Sequence, residues 1–123
     1  LIAMVDLDAR VIIDGNRIFT EFKGALTEQY VLTELKSNVN SPIFYWTSDK
    51  GTSEVDFIIQ IGKNNVPIEV KSSENLQAKS LKYFVGKYGT LKNVRTSMSD
   101  YRKEEKFINI PLYIIGNIDE MLK

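Results

Sequence analysis

The sequence predicts a single α/β domain in which a mixed β-sheet, centred on one hairpin, is flanked by helices. Two runs of β-branched and aromatic residues, Val55 to Ile61 and Val66 to Val70, are too short for helices, and Gly62-Lys-Asn-Asn65 between them tolerates the positive φ of a turn. Within the first run Phe57, Ile58 and Ile59 put apolar side chains on both faces, so the hairpin is expected to be covered twice. Helical periodicity lies before and after it. A chain of 123 residues with 43% hydrophobic content can bury one core and is too short for two ordinary domains.

In chain order, Leu1-Ile-Ala-Met-Val5 is an apolar strip and Leu7 to Gly15 mixes charged with β-branched residues before the turn and cap signal Asp14-Gly-Asn16. Residues 1–15 therefore read as a linker or the remnant of an upstream segment, and residues 16–123 as the domain. A long helix is expected from about Arg17 to Ser37, because Phe19, Phe22, Leu26 and Tyr30 recur along one side. A neighbouring stripe holds Gly24, Glu28, Val31 and Leu35. Glu28 is either an exposed residue at the edge of that stripe or a carboxylate that needs a partner, while Gly24 allows close approach to the sheet. Ile43 to Thr47 reads as a strand after Pro42, and Ser48 to Ser53 as a polar loop.

If Gly62 to Asn65 form a four-residue loop, Asp56 falls opposite Lys71 and Glu69 lies one step along on the same face. Diagonal strand neighbours of this kind are roughly 7–8 Å apart, close enough for two carboxylates to share a cation. A surface Glu-x-Lys ion pair at a strand end is the plainer reading of the same residues. Past the hairpin, Ser72-Ser73 and Asn75 offer caps for a second helix over Leu76 to Tyr88, with Leu81, Phe84, Val85 and Tyr88 inward and Gly89 at its end. Lys79 and Lys82 on its other side are solvated or touch phosphate. Asn93 to Met98 is a weak strand, Asp100 to Lys106 a charged loop, and Ile108 to Ile115 a strand that Pro111 places toward an edge.

With no His and no Cys, the chain cannot build a Ser-His-Asp or Cys-His centre or the usual zinc site. Carboxylate, lysine, hydroxyl and backbone chemistry remain, and oxygen ligands suit Mg²⁺ or Mn²⁺. Lys+Arg 16 against Asp+Glu 16 leaves no net charge, so any attraction to nucleic acid must be local. No signal-peptide pattern and no apolar run of about 18 residues is present, and a soluble cytoplasmic protein without a membrane partner is expected.

Asp56, twelve intervening residues and then Glu69-Val70-Lys71 form a D…(D/E)-x-K pattern, and here the chain resembles the PD-(D/E)XK nuclease superfamily. Lys23-Gly-Ala-Leu-Thr-Glu28 is similar to that superfamily's first motif, including its archaeal Holliday-junction-resolvase branch, and Glu28 matches the helix glutamate. A more specific resemblance, carried by Gly24 to Glu28, Tyr45-Trp46, Gly51, Glu54 to Phe57, Pro67 to Ser72 and Ile110 to Tyr113, is to a domain of unknown function at the C-terminus of bacterial and archaeal AAA+-type ATPases. The ATPase's own phosphate-binding motif is absent, since Gly86-Lys87 lacks the earlier glycine and is followed by Tyr88.

The resemblance implies a restriction-endonuclease-like core and a DNA phosphodiesterase attached to an ATPase module. It implies that Asp56, Glu69, the Val70 carbonyl and Glu28 hold Mg²⁺ or Mn²⁺, and that Lys71 orients or deprotonates the attacking water. Glu54, two residues from Asp56, either assists or lies in solvent. DNA and the ATPase module of the same polypeptide are the expected partners, and an oligomer is compatible with both. The alternative is a catalytically weak or inactive scaffold that binds DNA or protein and regulates the ATPase. A basic groove leading to Lys71 would favour the first, and an exposed apolar face around Leu1 to Val5 and Tyr45-Trp46 the second.

Overall fold

A computed structural model describes residues 16–72 and 77–123, with side chains from Phe22 onward. The long helix α1 runs Asn16–Asn38, one residue beyond the expected span at each end. Strands β1 (Phe44–Thr47), β2 (Glu54–Ile61) and β3 (Asn64–Val70) follow, then helix α2 (Lys79–Tyr88). The chain continues through β4 (Val94–Ser97), β5 (Arg102–Lys103) and β6 (Ile108–Pro111), a 3-10 helix over Leu112–Asn117 and a last turn of helix, α3 (Ile118–Met121). The expected linker 1–15 lies outside the described residues, as does Leu76, where the second helix was expected to begin; Gln77 and Ala78 are not helical, and α2 starts later than expected, at Lys79. No described helix is long and apolar enough to cross a membrane.

The strands form one mixed six-stranded sheet in the order β1-β2-β3-β4-β6-β5. Its first three strands are antiparallel, β3-β4 and β4-β6 are parallel, and β5 closes the far edge antiparallel to β6. Because β3 and β4 are parallel, the chain must cross over between them, and α2 lies in that crossover. One face of the hairpin, with Ile59, Ile61, Val66 and Ile68, packs with Val94 and Ile110 against Val31, Leu35 and Val39 of α1 and against Leu112, Ile115 and Ile118. The other face takes α2, which packs on β2 and β3 through Leu81 and Ala78, with Phe107 alongside. The hairpin is covered on both sides, as its doubly apolar sequence requires.

Three further expectations change, and one weak pattern is upheld. The hairpin loop has two residues, not four: Gln60 pairs with Asn65 and Ile61 with Asn64, leaving Gly62-Lys63 as the turn. Gly62 at φ +61 supplies the left-handed first turn position that suits the twist of a two-residue hairpin, so Asn64 and Asn65 are released into β3. The strand expected over Ile108 to Ile115 stops at Pro111, whose missing N–H ends the ladder, and the chain coils into the 3-10 helix that buries Leu112 and Ile115. Asn93 to Met98, weak as a sequence pattern, contains a wholly buried strand between two parallel neighbours. On α1 the stripe with Val31 and Leu35 faces the core, while Tyr30 of the other stripe is 41% exposed. Pro111 sits where expected in one respect: β5 pairs only with Ile108 and Asn109, so the end of β6 is an edge.

Candidate functional site

The antiparallel course of β2 and β3 brings the start of one and the end of the other to the same end of the sheet, and this end carries the charged residues. There β2 is irregular. Phe44 pairs with Ile58 and Trp46 with Val55, so Tyr45 of β1 stands opposite two residues, Asp56 and Phe57. An extra residue on one strand is a β-bulge, which re-aims side chains and ends regular pairing. The β2–β3 ladder accordingly stops at Phe57↔Ile68. Beyond it the Lys71 amide donates to the Thr96 carbonyl of β4, so the alternate amide, that of Val70, faces β2. It donates instead to Asp56 Oδ2 at 2.8 Å.

The shorter loop also shifts the register expected for Asp56. Continued past Phe57↔Ile68, it sets Asp56 level with Glu69 rather than Lys71. Glu69 is 6% exposed; its Oε1 lies 3.8 Å from Lys71 Nζ and its Oε2 is buried without a hydrogen-bond partner. Burial pushes its carboxyl up to about 7, with Lys71 opposing, Asp56 adding to the rise and Arg95 opposing. On α1, Gly24 passes the end of β3 so closely that a β-carbon there would sit 3.5 Å from Ser72 Oγ, and one turn later Glu28 reaches Asp56. The two carboxyls interact, and the charge of Asp56 strengthens the hold of Glu28 on its proton. Glu28 is raised to about 7 by burial of its carboxyl first, then by the charge of Asp56, their hydrogen bond and Glu54. As a whole residue Glu28 is exposed. Asp56 is raised by burial, against which the Val70 amide, Glu28 and Lys71 act, while Glu54 adds to the rise.

The donors are oxygen atoms only, as a hard divalent cation prefers, and one of them, Glu69 Oε2, is buried without a hydrogen-bond partner. Among the described residues no group of three or more Asp or Glu side chains is gathered closely enough to hold a metal ion. The Val70 amide is held to this cluster by its bond to Asp56 Oδ2. Lys79 and Lys82 are exposed on α2, Lys82 beside a surface cavity of about 370 Å³ that it shares with Arg95, Glu104, Lys106 and Phe107.

A family profile described as Domain of unknown function (DUF4143) matches residues 23–115. The chain belongs to the DUF4143 family. No curated protein matches it.

The span matched to DUF4143 holds Glu28, Glu54, Asp56, Glu69 and Lys71, and also residues that sequence reasoning passed over. Arg95 stands level with Glu69 on the next strand, 5% exposed, its Nε donating to Asn109 Oδ1 at 2.9 Å and its guanidinium 4.9 Å from the Phe107 ring. Ser97 Oγ donates to the same Asn109 oxygen at 2.7 Å, and Asn109 Nδ2 donates to the carbonyls of Ser99 and Asp100. This DUF4143 chain thus backs Glu69 with a positive charge held in a buried polar network. Asn109 inside the apolar run Ile108 to Ile110 was the readable sign, since a polar side chain buried in a strand must find partners.

Proposed function

We propose that this DUF4143 chain is a PD-(D/E)XK-like, divalent-metal-dependent nuclease domain acting on DNA phosphodiesters, the C-terminal part of a larger ATPase. The observation that carries the reading is the buried, unpartnered Glu69 Oε2, beside Lys71 and level with Asp56 at one end of the sheet. A buried carboxylate oxygen without a donor is costly unless a further group completes it. Mg²⁺ or Mn²⁺ held by Asp56, Glu69, the Val70 carbonyl and Glu28 would supply Lewis acidity toward a phosphodiester oxygen and lower the pKa of water.

The chain's own groups divide the remaining work. The Val70 amide fixes Asp56, and Arg95 favours the ionised form of Glu69. Lys71, tethered near Glu69, orients or deprotonates the attacking water and offsets charge gathering on the phosphate. Glu28 holds Asp56 from the helix side. Titration with Mg²⁺ or Mn²⁺, followed by incubation with plasmid and branched DNA, tests the reading: cleavage that disappears in Lys71→Ala supports it, and metal-independent behaviour with intact DNA throughout sinks it.

A second reading, a catalytically weak scaffold that binds DNA or protein and regulates the ATPase, is favoured by two observations. Phe44 is 56% and Tyr45 80% exposed on the edge strand, an apolar surface of the sort that meets a partner. One Asp56 oxygen is already committed to a backbone amide.

A further inference from the structure

The face of α2 turned away from the sheet carries Lys79, Lys82 and Lys87 and not one acidic residue, although the chain as a whole has no net charge. Tyr83 and Tyr88, at the border between that face and the sheet, meet Trp46 of β1. The Trp46 ring lies 6.0 Å from that of Tyr83 and 6.0 Å from that of Tyr88, and its indole N–H donates to the Tyr88 hydroxyl at 3.2 Å. Phe84 meets the indole in a T-shaped contact, ring centroids 5.2 Å apart. Tyr83 and Tyr88 are each 51% exposed. The Lys87 ammonium stands 6.0 Å from the centroid of Trp46 and 5.6 Å from that of Tyr88.

Packing alone does not call for this arrangement. Phe84 and Leu81 already seal α2 to the sheet, and two half-exposed tyrosines around an indole leave apolar ring surface in water. Rings fixed by one another and bordered by lysines suit a ligand with flat π-faces on an anionic backbone, which describes unpaired nucleotides. Paired bases in a duplex offer no free face. Trp46 pairs across the strands with Val55, whose chain neighbour is Asp56, so the platform and the carboxylates lie at the same end of the sheet.

We propose that Trp46, Tyr83, Tyr88 and Lys87 form a binding site for single-stranded DNA, so that the substrate of this domain is DNA with unpaired bases beside the scissile phosphate. The link to cleavage rests on the nuclease reading above, whereas the binding itself does not. Charge complementarity selects this occupant over a second copy of the chain, whose matching face would set lysines against lysines.

Trp46 is the only tryptophan, so its fluorescence reports directly on stacking. The chain is titrated in EDTA, without metal, with oligothymidylate of about 15 nucleotides and with a duplex of equal length. Saturable quenching by the single strand is expected, with duplex affinity at least tenfold weaker. Tyr83→Ala and Lys87→Gln should each weaken single-strand binding about tenfold, since stacking contributes roughly 1–3 kcal/mol per base, and Tyr83→Phe should restore it. Equal quenching by duplex, or unchanged affinity in Tyr83→Ala, overturns the proposal. Quenching that grows with protein concentration before DNA is added assigns the face to a second copy and overturns it too. Single-strand binding without cleavage in Mg²⁺ removes only the catalytic reading, and cleavage without single-strand preference removes only this one.

Discussion

The Val70 amide and the Asp56 carboxylate are joined by a 2.8 Å hydrogen bond that stands in for a missing rung of the β2–β3 ladder. The bulge at Asp56-Phe57 takes away the backbone acceptor, and the side chain of the bulged residue replaces it. Asp56 therefore has two functions in the fold and the site at once: it satisfies a strand amide and presents its carboxyl to Glu28 and Glu69.

That double role separates two substitutions. Asp56→Asn keeps an oxygen for the Val70 amide and removes a buried charge, so in EDTA its stability should equal the wild type or exceed it by up to ~1 kcal/mol. Asp56→Ala leaves the amide unpaired and should lose about 1–3 kcal/mol. Urea unfolding of the three proteins at neutral pH measures both. A loss of 2 kcal/mol or more in Asp56→Asn would make the carboxylate a structural partner of Lys71 and end its candidacy as a metal ligand.

Stability without metal should fall as pH rises toward neutrality. Glu69 and Glu28 each bind a proton up to about 7 in the folded chain against 4.5 ordinarily, so between those values the folded state holds more protons than the unfolded one. The stabilisation is complete below about 4.5 and is lost as pH passes through about 7. For Glu69, after allowance for solvent screening, the loss is on the order of 1–2 kcal/mol. Glu69→Gln should flatten the profile in that window. Thermal unfolding from pH 4.5 to 7.5 in EDTA reads it, and a wild type that gains stability across the range refutes the carboxyl assignments.

Much of this architecture was readable because each element carried its own pattern. The hairpin, both long helices and the left-handed Gly89 end of α2, at φ +65, follow from local rules. Errors arose where a tertiary relation decided the outcome. Gly62-Lys-Asn-Asn65 allows a loop of two or four residues, and Gln60 to Asn65 pairing chose the shorter. The Val94–Ser97 strand was expected, though only weakly because it is short and contains Arg95, and its two parallel neighbours make it central. At the site, spacing placed Glu69, Lys71 and Asp56 at one end, but the bulge that turns Asp56 toward Val70 is a relation between β2 and β1 that neither strand encodes alone.

Gly116 shows the same dependence on a distant partner and can be tested. A β-carbon there would lie 2.9 Å from Asn38 Nδ2, the group that closes the end of α1 by donating to the Glu34 carbonyl at 2.8 Å. Gly116→Ala should therefore destabilise by about 0.5–1 kcal/mol, because the Asn38 amide must leave its bond to make room. Asn38→Ala should cost a similar amount alone, yet the double variant should lose less than the sum of the two. Additive losses in urea unfolding would show that the contact is not the cause.

Cation binding should appear as stabilisation before any reaction is sought. If the raised proton affinity of Glu28 and the bare Oε2 of Glu69 mark places where positive charge is lacking, Mg²⁺ or Mn²⁺ binds the folded chain and has little affinity for the unfolded one. Mass action then gives about 2.7 kcal/mol at a hundredfold excess over the dissociation constant. Binding should also release protons near neutral pH, since Glu28 and Glu69 are part-protonated there in the free chain. Asp56→Asn and Glu69→Gln should each remove most of the stabilisation, whereas Glu54→Gln should do so only if Glu54 contributes a ligand. Calorimetric titration in two buffers of different ionisation enthalpy, with unfolding at several Mg²⁺ concentrations, measures both quantities. Stabilisation equal in wild type and Asp56→Asn would place the ion elsewhere on the surface, and the carboxylate cluster would then stand as a structural feature of the strand end.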